Sequence, residues 1–131
     1  MDSTDGSLSK VVALLEREPA VAAVYLHGST AKETRRSDSD LDLAILPAAG
    51  RSLSAMERLD LAQRLTAESG RRVDLGVLGT GNLVYAKEVI EHGRLLFTKD
   101  PGRSLVFPGL CLSLYADLQQ SRKEVLDAYA A

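Results

Sequence analysis

Apolar residues recur along this chain in two rhythms, and the switches between them divide it into alternating helices and strands. From Leu8, the apolar positions Val11, Val12 and Leu15 share one helical face, and Pro19 closes the segment because a helix seldom continues into a proline. Val21 to His27 is short and rich in β-branched and aromatic residues (Val21, Val24, Tyr25), and it runs into Gly28 as a buried strand runs into a turn. Residues 28 to 39 are small and polar around a charged centre, enough for a short helix and a loop. A second strand is expected over Asp40 to Leu46, closed by Pro47 and Gly50.

Ser54 and Glu57 have the spacing of a capping box, so a helix is expected from about Ser54 to Ser69, stopped by Gly70, with Leu59, Ala62 and Leu65 facing inward. Arg71 to Leu78 alternates as a third strand, and Gly79 to Asn82 form a turn whose last residue can cap a helix running to His92. Gly93 stops that helix. Leu95 to Phe97 reads as a short edge strand before the Asp100-Pro101-Gly102 turn. Pro108 then opens a C-terminal helix, from about 108 to 130, carrying Leu110, Leu114, Leu118 and Val125. Helices alternating with few short strands imply an α/β or α+β sandwich.

Composition narrows the possible functions. At 131 residues the expectation is a single domain over 1–131, and 45% hydrophobic and 26% charged residues are ordinary globular values. A net charge of −2 leaves no basic footprint for a nucleic-acid backbone, so no nucleic-acid partner is expected. The single cysteine, Cys111, sits in an apolar run as a small hydrophobe and suits a reducing compartment. The N-terminus has no signal-peptide pattern, and no apolar run approaches the roughly 18 residues of a membrane helix. The expected location is the cytoplasm, without membrane attachment.

The chemistry concentrates in Gly28-Ser29, then ten residues, then Asp40-Leu41-Asp42. Strand alternation puts Asp40 and Asp42 on one side, with Leu41, Leu43 and Ile45 on the other. Two like charges at a strand mouth call for a cation, and hard carboxylate oxygens suit Mg²⁺, which is bound by one or two carboxylates plus substrate phosphates. A third acid, Asp74, shares a face with Gly76, whose missing side chain leaves room for a neighbouring ligand. If the third strand lies beside the second, three carboxylates can clamp two metals about 3.5–4 Å apart for an in-line displacement at phosphorus. Gly28 lets the backbone approach phosphate oxygens, and Ser29 adds a hydroxyl.

Glycine-serine, ten residues, Asp-x-Asp and a later acid resembles the signature of the nucleotidyltransferase superfamily that includes DNA polymerase beta. Gly28, Ser29, Asp40, Asp42 and Asp74 match it position for position. Length and the later segments, Gly93-Arg94-Leu95-Leu96-Phe97 and Tyr115-Ala116-Asp117-Leu118, resemble the minimal nucleotidyltransferase (MNT) antitoxins of HEPN/MNT systems, the MntA-like members. The resemblance implies a small mixed β-sheet flanked by helices, two Mg²⁺ ions and ATP as substrate. It also implies a HEPN-domain ribonuclease toxin as partner, neutralised by transfer of AMP to one of its tyrosines. By residue, it implies Asp40 and Asp42 as ligands of both metals, Asp74 as metal ligand and proton acceptor, and Gly28 and Ser29 as holders of the triphosphate. Other functions consistent with the sequence are masking of the toxin by contact and transfer to a small hydroxylated molecule such as an aminoglycoside.

Other readings of the same residues are weaker. An EF-hand starting at Asp38 would place Leu43 and Ala49 where glycine and glutamate belong, and Gly28 to Ser37 lacks the second glycine and the lysine-threonine or lysine-serine pair of a P-loop. His27, at a strand end, is expected as a hydrogen-bonded structural group rather than a base. Arg35 and Arg36 lie between the two halves of the motif, and Arg36 is taken as a further triphosphate contact. Tyr115 and Tyr129 are expected as packing residues on the last helix.

Overall fold

A computed structural model describes residues 3–28 and 40–130. It contains, in chain order, α1 (Ser3–Glu16), β1 (Val21–His27), β2 (Leu41–Pro47), α2 (Ala55–Ser69), β3 (Val73–Val77), α3 (Leu83–His92), β4 (Arg94–Thr98) and α4 (Pro101–Ala130). The strands form one mixed sheet in the order β3-β2-β1-β4. β1 is antiparallel to β2 and to β4, whereas β2 and β3 are parallel, joined by the crossover through α2. This is the mixed α/β arrangement expected from the sequence.

Each face of the sheet is packed under two helices. Val24, Leu26, Leu41, Leu43, Ile45 and Leu75 meet Val11 and Leu15 of α1 and Leu61 and Leu65 of α2. On the opposite face Tyr25, Ala44, Leu46 and Leu78 meet Ala86 and Val89 of α3 and Phe107 and Cys111 of α4. Cys111 is fully buried, as a small hydrophobe should be. No described helix is long and apolar enough to cross a membrane.

α2 carries its caps as the sequence implies. The Glu57 amide donates to Ser54 Oγ at 3.1 Å, the Ser54 amide donates to Glu57 Oε1 at 2.9 Å, and Gly70 closes the helix at φ 76°. Its inward face differs from expectation at one position: Leu65 is buried and Ala62 packs against the core as expected, but Leu61 is buried in place of Leu59, which is 53% exposed. Apolar residues on α2 satisfy two helical phases, and contact with α1 selects the one containing Leu61. Asn82 precedes α3 but makes no side-chain cap; only its carbonyl accepts, from the Ala86 amide at 3.0 Å.

The last helix begins at Pro101 rather than Pro108. Asp100 Oδ1 accepts from the Arg103 amide at 3.1 Å, which makes Asp100 the N-cap and Pro101 the first helical residue, where its missing N–H costs nothing. Pro108 therefore lies inside the helix. Phe107 and Cys111 are its buried residues, while Leu110 and Val125 are 45% and 55% exposed. Only the first part of α4 covers the sheet. From Ser121 to Ala130 every residue is exposed, Tyr129 included.

Candidate active site

Strand register assembles a polar row across the sheet. His27 on β1 stands opposite Asp42 on β2, and Asp42 stands opposite Asp74 on β3. The row ends the face that carries Tyr25, Ala44 and Leu46 further along, so the acids crown a buried surface. Asp42 is half-buried, and Asp40 and Asp74 are exposed. Gly28 follows His27 at φ 71°, a left-handed conformation that favours glycine, and a Cβ there would collide with the Asp42 carboxylate. Backbone at the turn thus packs directly against the central acid. Ser29, Arg35 and Arg36, named from sequence, lie outside the described residues.

Burial raises the Asp42 pKa above the ordinary carboxylate value; His27 opposes the rise, and the charges of Asp74 and Asp40 add to it. A carboxylate held among like charges in a partly dry place is a natural cation ligand. Asp40 lies just ahead of β2 and 4.0 Å from Arg72 Nε, with both side chains more than half exposed. Such a pair contributes about 1 kcal/mol at most, so a divalent ion can compete for Asp40. Among the described residues, no three His, Cys, Asp or Glu side chains already converge closely enough to hold a metal. The donor set nevertheless fits Mg²⁺, which takes carboxylates from the protein and completes its shell with substrate phosphates and water.

Two residues that pattern reading passed over shape the site. Tyr85 of α3 lays its hydroxyl over Gly76, where any Cβ would overlap it, and pairs with His27 Nε2 at 3.0 Å. The rings meet edge to face with centroids 5.5 Å apart. Gly76 therefore admits a tyrosine of the protein itself, not an open ligand space as the sequence suggested. Burial, then the charges of Asp74 and Asp42, push the Tyr85 pKa up to about 12, with Arg58 opposing. The phenol stays neutral, and His27 is the hydrogen-bonded structural group expected of it. Arg58 of α2 donates from Nη1 to the Leu75 carbonyl at 2.9 Å, on the edge strand beside Asp74. A glycine two residues after the third acid hints at an intruding side chain; no comparable sign marks Arg58.

The family described as Polymerase beta, Nucleotidyltransferase matches residues 9–102, a span holding the whole polar row. The chain belongs to that family. It is a nucleotidyltransferase, and among curated proteins it is 31% identical over 120 residues to the protein adenylyltransferase MntA of Shewanella oneidensis, covering 91% of this chain and 84% of MntA. A chain in the crystal structure of a toxin-antitoxin with AMP-PNP superposes with a TM-score of 0.73 at 28% identity, covering 97% of this chain and 98% of that one. A chain in the structure of the tri-AMPylated Shewanella oneidensis HEPN toxin in complex with MNT antitoxin gives 0.73 at 27% identity, covering 98% and 99%. This nucleotidyltransferase is thus an MntA homologue over nearly its full described length, C-terminal helix included.

Proposed function

We propose that this nucleotidyltransferase transfers AMP from ATP to a tyrosine of a HEPN-domain toxin in the cytoplasm and so neutralises it as an antitoxin. The observation that carries the reading is the strand register, which sets Asp74 beside Asp42 with the Gly28 turn against the same carboxylate. MntA is a protein adenylyltransferase, and the relatives of matching fold are toxin-antitoxin complexes, one with AMP-PNP and one with an AMPylated HEPN toxin. Those names supply the acceptor class that the site alone does not.

Asp40, Asp42 and Asp74 would hold two Mg²⁺ ions, which when bound neutralise charge developing on the transferred phosphoryl group. The Gly28 turn, with Ser29 and Arg36, holds the triphosphate and fixes the α-phosphorus before Asp42. Asp74, the most accessible acid of the cross-strand pair, receives the proton of the attacking hydroxyl. The new bond joins the acceptor oxygen to the α-phosphorus, the bond to the β-phosphate oxygen breaks, and pyrophosphate leaves with that electron pair. His27 stands beside Asp42 from β1, and Tyr85 reaches from His27 across to Gly76 on the strand of Asp74.

The test incubates the protein with labelled ATP, Mg²⁺ and the HEPN protein encoded beside it, comparing wild type with the Asp40→Ala/Asp42→Ala double variant. Label on a partner tyrosine from wild type alone is the expected result. Toxin neutralisation that survives in the double variant, with no label on the partner, would replace transfer by masking.

A further inference from the structure

The catalytic row occupies the first residues of β2 and β3, and the same two strands end at a second concave surface. From Asp42, β2 runs five residues on to Pro47, roughly 17 Å of extended chain, so the two surfaces are well separated. The far one is a cleft of about 430 Å³. Its walls are the segment after β2 (Arg51, Ser52), the turn after β3 (Gly79, Thr80) and the first turns of α4 (Arg103, Leu110). Small-molecule sites run from roughly 300 to 1,000 Å³, so the space suits a small ligand.

The charge of this cleft is one-sided. Arg51 and Arg103 both line it, and no carboxylate does. The acids nearest to them in sequence are held elsewhere: Glu57 Oε1 accepts from the Ser54 amide in the α2 cap, and Asp100 Oδ1 accepts from the Arg103 amide at the start of α4. Arg51 acts on Glu57 only through space, and neither arginine forms an ion pair among the described residues. Arg103 is half-buried, and its Nε donates to the Pro47 carbonyl at 2.7 Å. That bond fixes the guanidinium at the cleft and leaves its two terminal nitrogens for a ligand. A half-buried cation without an anion is unfavourable, and an oxyanion held by the fork relieves it. Two unmatched cations balance a dianion; a phosphate monoester carries about −1.5 to −2 at neutral pH, a carboxylate only one charge. The Ser52 and Thr80 hydroxyls add donors, whereas Leu53 and Leu110 make an apolar wall that a bare phosphate would leave wet.

We propose that this cleft is a second ligand site, separate from the catalytic centre, for a small phosphate monoester with an apolar body. Arg51 and Arg103 hold its phosphate, and its body lies against Leu53 and Leu110. The site binds without making or breaking a bond, and it stands whether or not AMP is transferred to a protein.

The test titrates phenyl phosphate into the protein near neutral pH and follows backbone amides by NMR. Inorganic phosphate serves as the arm without an apolar body, and phenol as the arm without an anion. The Gly79 and Thr80 amides should shift with a dissociation constant for phenyl phosphate of about 1 mM or tighter. Each of the other two probes should bind at least about tenfold more weakly. Arg51→Gln, at an exposed position, should raise the phenyl phosphate dissociation constant about tenfold, the loss of one charge-assisted hydrogen bond. Arg103→Lys keeps the charge but loses the fork and should do the same. Should Arg103→Lys fail to fold by circular dichroism, Arg51→Gln alone decides. A saturating non-hydrolysable ATP analogue with Mg²⁺ should leave the probe's dissociation constant within about twofold, because the two sites are separate. Displacement of the probe by that analogue, with shifts confined to His27, Gly28 and Asp74, would put the phosphate in the catalytic centre and overturn the second site. Equal affinity in wild type and the folded variants, or no saturable shift of Gly79 and Thr80, would overturn it as well.

Discussion

The two faces of β2 show what distinguishes a structural surface from a working one in this molecule. On one face Leu41, Leu43 and Ile45 are fully buried under α1 and α2. On the other, Asp42 precedes Ala44 and Leu46, so a single strand side passes from acid to core within two residues. The aliphatic face stabilises by removing apolar surface from water. The acidic end does the reverse, holding like charges together until a cation and phosphates arrive. Stability and chemistry are thus separated by the strand pleat, and substitutions at adjacent positions should divide accordingly.

Asp42→Asn makes the sharpest division. Transfer should fall by roughly three orders of magnitude, about 4 kcal/mol in the barrier, because the central cation ligand is lost. The metal-free protein should melt at a higher temperature than wild type near neutral pH. Asp42 binds its proton more tightly folded than unfolded, so wild type loses stability as pH rises from the ordinary carboxylate range through the raised Asp42 value. Asparagine has no charge to develop, and its advantage should vanish in acid, where Asp42 is protonated in both states. Melting curves at several pH values check the sign; a metal-free variant less stable than wild type at neutral pH would break the comparison.

Leu43→Ala acts one residue away and through the other face. Leu43 is fully buried, so its truncation should cost about 2–5 kcal/mol of folding stability, measured by urea unfolding. At a temperature where the variant is folded, kcat should change far less than in Asp42→Asn.

This separation was only partly legible in the sequence. Strand alternation set Asp42 against Leu41 and Leu43, and the Ser54 and Glu57 spacing located the start of α2, because both are local geometry. That the acidic face of β2 is also core further along was not legible, since it depends on α3 and α4 folding back over Ala44 and Leu46. The same dependence misplaced Leu59, whose helix offers two apolar phases, and the onset of α4, where Pro101 and Pro108 are each acceptable first residues until Asp100 is seen to cap the former. Of the site, the acids came from motif spacing and their adjacency from register. Tyr85 and Arg58 reach it from helices distant in sequence, and no periodicity announces such visits.

Gly76→Ala tests whether the working face tolerates volume. A methyl there would overlap the Tyr85 hydroxyl, so either the ring moves or β3 does, at a cost of about 1–3 kcal/mol as in other overpacked sites. The displaced phenol should release His27. Loss of stability together with a changed His27 imidazole resonance by NMR is the expected result; an unaltered resonance would mean that Tyr85 is not held where Gly76 admits it.

The smallest change is Tyr85→Phe, which keeps the ring and its edge-to-face contact and removes only the hydroxyl paired with His27. A single hydrogen bond of this kind contributes about 1 kcal/mol net, and His27 is half-buried, so water can replace part of it. The fold should survive with a loss no larger than that. The consequence for chemistry is indirect: His27 opposes the rise in the Asp42 pKa, and an imidazole no longer anchored by Tyr85 has no fixed position from which to do so. Mn²⁺ affinity, followed by electron paramagnetic resonance without nucleotide turnover, should therefore weaken modestly in Tyr85→Phe. Unchanged affinity would reduce the Tyr85–His27 pair to packing, and would place the boundary between the structural and working surfaces between His27 and Asp42.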